Sequence, residues 1–305
     1  MLPLKDGSFS APLLPRPGHG TVAVEPPGAG AGHWAGAPSA AWAGGSIILA
    51  YRLRRPVGHG RGYAVVVARS ADGERFGTML TIRKEEMAAD SLERPALIRA
   101  PGGNWRLYLS CATPGSKHWQ VEMLEAPHPG GFDPRRRQVV VAGDAKKGMK
   151  DPVIALRDGT WHMWVTCHPL DDPDEADQMS TEYATSHDGI AWTWHGTALN
   201  GRPGRWDSRG TRLTSVCFTG DVIVASYDGR ASVAENCEER TGIAMGTEPT
   251  VLTPVGTAPL AWSPYQGGGL RYLTILPLPD GSHRLYYEMT RPDGAHELRT
   301  ELRRP

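Results

Sequence analysis

Lys150-Asp151-Pro152-Val153-Ile154-Ala155-Leu156-Arg157-Asp158-Gly159-Thr160-Trp161-His162-Met163-Trp164-Val165 reads as a strand, a tight turn and a second strand. Asp151 stands just before the first strand. Asp158-Gly159 supplies the turn, because glycine takes a positive φ at no steric cost. Residues 160–165 alternate and are rich in Trp and Val, as a half-buried strand should be. The unit recurs. Pro38, Pro95 and Pro152 stand 57 residues apart. Each is followed by a short apolar segment, a glycine-containing turn and a second apolar run: Ser46-Ile47-Ile48-Leu49-Ala50-Tyr51, Trp105-Arg106-Leu107-Tyr108-Leu109-Ser110, and residues 161–165. A repeat of this length points to radial or stacked repetition.

Worked outward, the pattern gives five units of strand and turn, at residues 36–83, 91–142, 148–198, 206–254 and 260–303. The third strand of unit one, residues 63–70, ends in Ala71-Asp72-Gly73. That of unit three, residues 181–186, ends in His187-Asp188-Gly189, so both units carry a Ser-x-Asp-Gly turn. Helical periodicity is almost absent. The fold expected is all-β, a single five-bladed β-propeller over residues 33–305. Residues 1–32, rich in Gly, Pro and Ala, form an irregular arm, in which Thr21-Val22-Ala23-Val24 is a candidate strand to close the ring of sheets. A two-sheet sandwich is the competing architecture, and the recurrence argues against it.

Composition narrows the partners. The 305 residues carry 33 Lys and Arg against 33 Asp and Glu, so bulk charge gives no hold on nucleic acid or on a membrane surface. No apolar run approaches the ~18 residues of a membrane span, and no basic stretch followed by an apolar one suggests a secretory leader. A cytoplasmic protein is expected. The four cysteines, Cys111, Cys167, Cys217 and Cys237, form no Cys-x-x-Cys pair and read as small buried hydrophobes. No His and Cys spacing supports zinc. The acidic stretch of residues 171–177 lacks the glycine of a calcium loop and reads as exposed. No metal or cofactor is expected.

In a propeller the innermost strands converge on one channel mouth, a common place for a small-ligand site. The aligned positions are Ala37, Arg94, Asp151, Arg212, and Arg271 or Tyr272. Ala37-Pro38, Arg94-Pro95 and Lys150-Asp151-Pro152, with Ser186-His187-Asp188-Gly189-Ile190-Ala191-Trp192, are short motifs at inner-strand starts and at an outer turn. In these the chain resembles the five-bladed propeller glycosidases, the superfamily of arabinanases, xylosidases, invertases and levansucrases. The resemblance covers roughly residues 33–303. It implies an acid, a base or nucleophile, and a third tuning carboxylate on the inner strands. Asp151 matches the third. Ala37 and Arg212 stand where the other two are expected, and neither side chain can do that work.

Other acids are candidates to take their place: Glu182, at the start of the third strand of unit three, and Glu239. The catalytic candidates are therefore Asp151, Glu182 and Glu239. The binding candidates are Arg94, Arg212, Asp228, Arg230, Arg240 and Trp34. Convergent arginines present planar forks suited to carboxylate or phosphate. The function expected is that of a glycoside hydrolase-like enzyme acting on a small sugar or sugar-like substrate in the central funnel, an anionic one included. The alternatives are a propeller repurposed as a lyase, isomerase or cyclase, and a non-catalytic ligand-binding propeller.

Overall fold

The computed structural model describes residues 13–172 and 174–304, with twenty strands and no α-helix among them. Blade one holds β2 (Trp34–Ala43), β3 (Ser46–Arg54), β4 (Gly62–Ser70) and β5 (Gly77–Arg83). Blade two holds β6 (Leu92–Arg99), β7 (Trp105–Ala112), β8 (Trp119–Ala126) and β9 (Gln138–Val141). Blade three holds β10 (Lys147–Arg157), β11 (Thr160–Pro169), β12 (Ser180–Ser186) and β13 (Thr193–Leu199). Blade four holds β14 (Gly210–Thr219), β15 (Val222–Arg230), β16 (Arg240–Glu248) and β17 (Val251–Pro254). Blade five holds β18 (Leu270–Pro277), β19 (His283–Thr290) and β20 (His296–Arg303), and takes its fourth strand from the other end of the chain, β1 (Thr21–Val24). Each blade is an antiparallel meander, with β1 antiparallel to β20. The fold is the five-bladed propeller expected, closed by the strand expected to close it. One parallel bridge, Trp34 to His296, joins blades one and five.

Apolar side chains from facing blades fill the gaps between them. Val67, Ile82 and Leu92 meet Leu107 and Leu124 between blades one and two, and Val153 and Trp164 meet Leu213 and Tyr227 between blades three and four. Each fully buried aliphatic side chain contributes roughly 1.5–3 kcal/mol.

The Ser-x-Asp-Gly turns have a physical purpose. Ser70 Oγ accepts the Gly73 N–H (2.8 Å), and Asp72 Oδ1 accepts the N–H groups of Glu74 and Arg75 (both 2.9 Å). Ser186 and Asp188 repeat the arrangement with Gly189, Ile190 and Ala191. Gly73 and Gly189 both have positive φ, and each carbonyl accepts a tyrosine hydroxyl of the preceding blade: Tyr286 to Gly73 (3.0 Å) and Tyr108 to Gly189 (2.9 Å). The motif therefore latches neighbouring blades together.

Every inner strand bulges at the same level, with register shifts inside Gly36/Ser39, Leu92/Pro95, Lys150/Val153, Leu213/Ser215 and Arg271/Thr274. Ala37, Asp151 and Tyr272 take positive φ there. The bulge frees a backbone N–H from the ladder, and the second strand of the preceding blade satisfies it. Ala37 N–H donates to Glu288 (3.1 Å), Asp151 N–H to Ser110 (2.8 Å) and Tyr272 N–H to Asp228 (3.0 Å). The alignment of blade four needs a correction. Its bulge skips one residue, Thr214, where blade three skips two, Asp151 and Pro152. Arg212, cross-paired with Asp228, thus matches Lys150, cross-paired with Thr166, and stands one residue before the level of Asp151.

Candidate functional site

Paired residues of an antiparallel ladder share a face. The pairs Gly36–Arg52, Lys150–Thr166, Arg212–Asp228 and Arg271–Glu288 therefore turn the same face of each blade to the axis. Blade one contributes a glycine at this level because Glu288 leaves no room: a Cβ on Gly36 would stand 2.0 Å from Glu288 Oε2.

The axis is a closed lattice of guanidinium and carboxylate. Arg52 joins Glu93 (2.8 Å) and Glu288 (2.6 Å), and Arg54 takes the other oxygen of Glu93 (2.8 Å). Arg271 joins Glu288 (2.7 Å) and Glu239 (2.8 Å). Arg230 also holds Glu239 (2.7 Å), and Arg212 holds Asp228 (2.7 Å) while reaching Asp151 (3.4 Å). Tyr272 lies within this lattice. The Arg212 guanidinium sits 3.9 Å from its ring centroid, and its hydroxyl donates to Asp151 (3.3 Å).

Above Tyr272 a cavity of about 50 Å³, room for a few waters or a small polar group, is walled by Trp34, Glu93, Lys150, His168, Arg230 and Glu239, among others. It adjoins a side chamber of about 220 Å³ beside Trp119, Lys117 and Leu170, and Lys150 and His168 line both spaces. A ligand here meets a deep polar end and a wider mouth.

Electrostatics decides what the wall can do. Burial pushes the carboxyl of Glu93 up, but Arg52 and Arg54 pull it down further, to about 2. Burial likewise works against Glu239, and Arg212, Arg271 and Arg230 overcome it and hold it well below the ordinary range. Both wall carboxylates are thus fixed as anions with no proton to give. Asp228 alone runs the other way, lifted by burial to about 6, but it is fully buried and bonded to Arg212 and the Tyr272 backbone.

Two groups stand outside the lattice. Lys150 makes no ion pair and no hydrogen bond among the described residues; its ammonium lies 4.9 Å from the Trp119 ring centroid, and burial lowers its pKa. His168 faces the same space. Its Nδ1 lies 3.1 Å from the Ala176 carbonyl, which can only accept, so Nδ1 carries the proton and Nε2 keeps a lone pair. Nε2 is buried with no partner among the described residues, and burial, then the Lys150 charge, hold the ring well below its ordinary pKa, hence neutral. Arg94 also lacks an ion pair among the described residues, but donates to the Leu213 (3.3 Å) and Thr214 carbonyls.

Of the residues singled out from sequence, Glu239, Arg212, Arg230 and Trp34 line the cavity. Asp151, Asp228 and Arg94 lie buried around Tyr272 and do not line it. Asp151 is 0 % exposed, and its Oδ1 has no partner among the described residues. Arg240 stands at a separate recess with Trp262 and Tyr265, paired to Glu235 (3.1 Å). Glu182 is in neither place; it lines a cleft between blades two and three. Sequence reading missed Arg52, Glu93 and Glu288 as parts of the lattice, and Lys150 and His168 as its free groups. Arg52 and Glu288 did leave a signal, each a charge directly after an apolar run, residues 47–51 and 285–287. No group of three or more metal-ligating side chains occurs among the described residues. Cys111 and Cys167 are buried free thiols, with burial pushing Cys167 up to about 11.

No protein-family model matches the sequence, and no curated protein matches it either. Solved structures do match. A thermostable family-43 glycoside hydrolase superposes with a TM-score of 0.68 at 13% identity, covering 88% of each chain. A β-1,2-mannobiose phosphorylase from Listeria innocua, in complex with β-1,2-mannobiose, gives 0.63 at 16% identity over 95% of this chain and 93% of that one. An N-acetylgalactosamine deacetylase from F. plautii, in complex with blood group B trisaccharide, gives 0.67 at 13% identity over 93% and 94%. The chain thus has the fold of these propeller glycoside hydrolases, the fold that its inner-strand motifs led us to expect.

Proposed function

We propose that the axial funnel binds a small anionic, sugar-like molecule, a sugar acid or a sugar phosphate, and moves one proton on it. The observation that carries this is the pairing of Lys150 and His168. Lys150 is an ammonium on the cavity wall without an ion pair among the described residues, and a carboxylate or phosphate is its natural complement. His168 offers a bare imidazole nitrogen to the same space, a base suited to taking a proton from a hydroxyl or from carbon beside a carbonyl. The wall carboxylates, Glu93 and Glu239, are neutralised by arginine and kept ionised, which disfavours the acid half of two-carboxylate hydrolysis. In this reading Asp151 and Glu239 hold the arginines in position. The chemistry favoured is of lyase or isomerase type.

The test is a thermal-shift and calorimetric screen of neutral sugars, sugar acids and sugar phosphates on the wild type, Lys150→Met and His168→Gln. Stabilisation by anions, lost in Lys150→Met, is expected; turnover, where seen, should be lost in His168→Gln while binding persists. Equal stabilisation by neutral sugars, undiminished by Lys150→Met, would sink the reading.

A further inference from the structure

The cleft between blades two and three is larger than the funnel, about 530 Å³, and shares no lining residue with it. Strand alternation builds it. Lys147 and Met149 face it from the start of β10, while Lys150 lines the funnel. Trp192, Trp194 and Gly196, two residues apart, bring one face of β13 and its approach to the cleft. Trp194 is 43% exposed, a large apolar side chain left partly uncovered. A Cβ on Gly196 would meet nothing within 4 Å, so the space beside that surface is open.

At the inner end of the cleft is Glu182, only 8% exposed. One of its oxygens accepts the Thr197 hydroxyl (2.8 Å). The other has no hydrogen-bond partner, and the side chain makes no ion pair, among the described residues. Blade two provides the control. Glu122 stands four residues before Ala126, which pairs with Trp105, as Glu182 stands four before Ser186, which pairs with Trp161. Glu122 is neutralised by Arg137 (3.1 Å) and bonded by Gln120 (2.8 Å). At the same place in the next blade the arginine is gone, and a cavity with an aromatic wall stands there instead. The unbonded oxygen of Glu182 is open to the cleft, where a ligand hydroxyl can take the place of water.

We propose that this cleft is a second ligand site, distinct from the funnel, that takes one or two neutral sugar rings. The C–H face of a pyranose stacks on Trp194, and a ring hydroxyl donates to the free oxygen of Glu182. The volume lies in the range of small-ligand pockets. Charge separates the two sites. Lys150 gives the funnel an unpaired cation, whereas Glu182 and Asp144 outnumber Lys147 in the cleft, which rejects anions.

The test is titration of the full chain with cellobiose, xylobiose, maltose and lactose, followed by tryptophan fluorescence and calorimetry. Glucuronate and choline serve as the charged probes. Saturable binding of at least one disaccharide is expected, weakened about tenfold or more by Trp194→Ala, unchanged in Lys150→Met, and not competed by glucuronate. Trp194 is exposed, so its replacement leaves the core intact; Thr197→Val, which frees Glu182 from its one hydrogen-bond partner among the described residues, serves as the second variant and should weaken disaccharide binding by about threefold or more. Three results overturn the proposal: no disaccharide saturates, Trp194→Ala binds as the wild type does, or choline saturates the cleft and the sugars do not.

Discussion

Glu239 and Glu182 are both buried glutamates near the start of a third strand, in adjacent blades, yet they live in opposite surroundings. Glu239 is gripped by Arg230 and Arg271 at 2.7 and 2.8 Å, with Arg212 at 3.6 Å. Glu182 has one threonine hydroxyl. The difference teaches how a repeated scaffold divides labour. Where the ring closes on its axis, guanidinium and carboxylate satisfy one another and become structure, and among the described residues Lys150 alone is left over. Where two blades part, charge is left for something outside the chain.

Removing each carboxylate tests this most directly. Glu239→Gln leaves three buried guanidinium groups short of an anion and should destabilise the fold by about 3–5 kcal/mol. Glu182→Gln keeps the shape and the threonine contact and should change stability by about 1 kcal/mol or less. Urea midpoints measure both, and equal losses would erase the distinction.

Acid titration probes the same contrast with a smaller effect. Glu93 has an ordinary value of 4.5 and a folded value of about 2. The stability from its ion pairs is therefore fully present above about 4.5 and is lost as pH falls through about 2. Glu239 and Glu288, also held low, act in the same sense. Asp228 opposes them: raised from 3.8 to about 6, its contribution is present below 3.8 and lost as pH rises through 6. The urea midpoint should fall steeply between about pH 4 and pH 2, with a shallow opposite slope between about pH 4 and 6. A flat profile below pH 4 would mean that the lattice is not ionic.

The smallest effect belongs to the latches between blades. Tyr286→Phe and Tyr108→Phe each remove one hydroxyl from a turn carbonyl and should cost about 1 kcal/mol apiece. Because the two bonds lie between different pairs of blades, the losses should add in the double variant; a larger combined loss would reveal coupling around the ring.

Much of the architecture was written locally. The Asp158-Gly159 hairpin, the Ser-x-Asp-Gly turns and Thr21–Val24 all act through nearby backbone geometry or simple alternation, and alternation survives in the sequence. The site was less legible because a shift of one residue reverses the face of a strand. Blade four marks its bulge with Thr214 and no proline, so Arg212 looked like the counterpart of Asp151 when it is that of Lys150. Glu182 read as a funnel acid for the same reason. His168 is a histidine like any other in the sequence. Only the carbonyl of Ala176, eight residues on, gives it a free lone pair.

The joint between the two ends of the ring has a kinetic consequence. β1 pairs Thr21 with Thr300 and Val24 with Leu298, and the Arg16 N–H donates to Glu301 (2.9 Å). These are among the most distant partners along the chain, so the loop they close is nearly the whole polypeptide and its entropy is spent late. Blade five is complete only when β1 has met β20. The ring therefore has a seam, and slow exchange of its amide protons would report that the circle has shut.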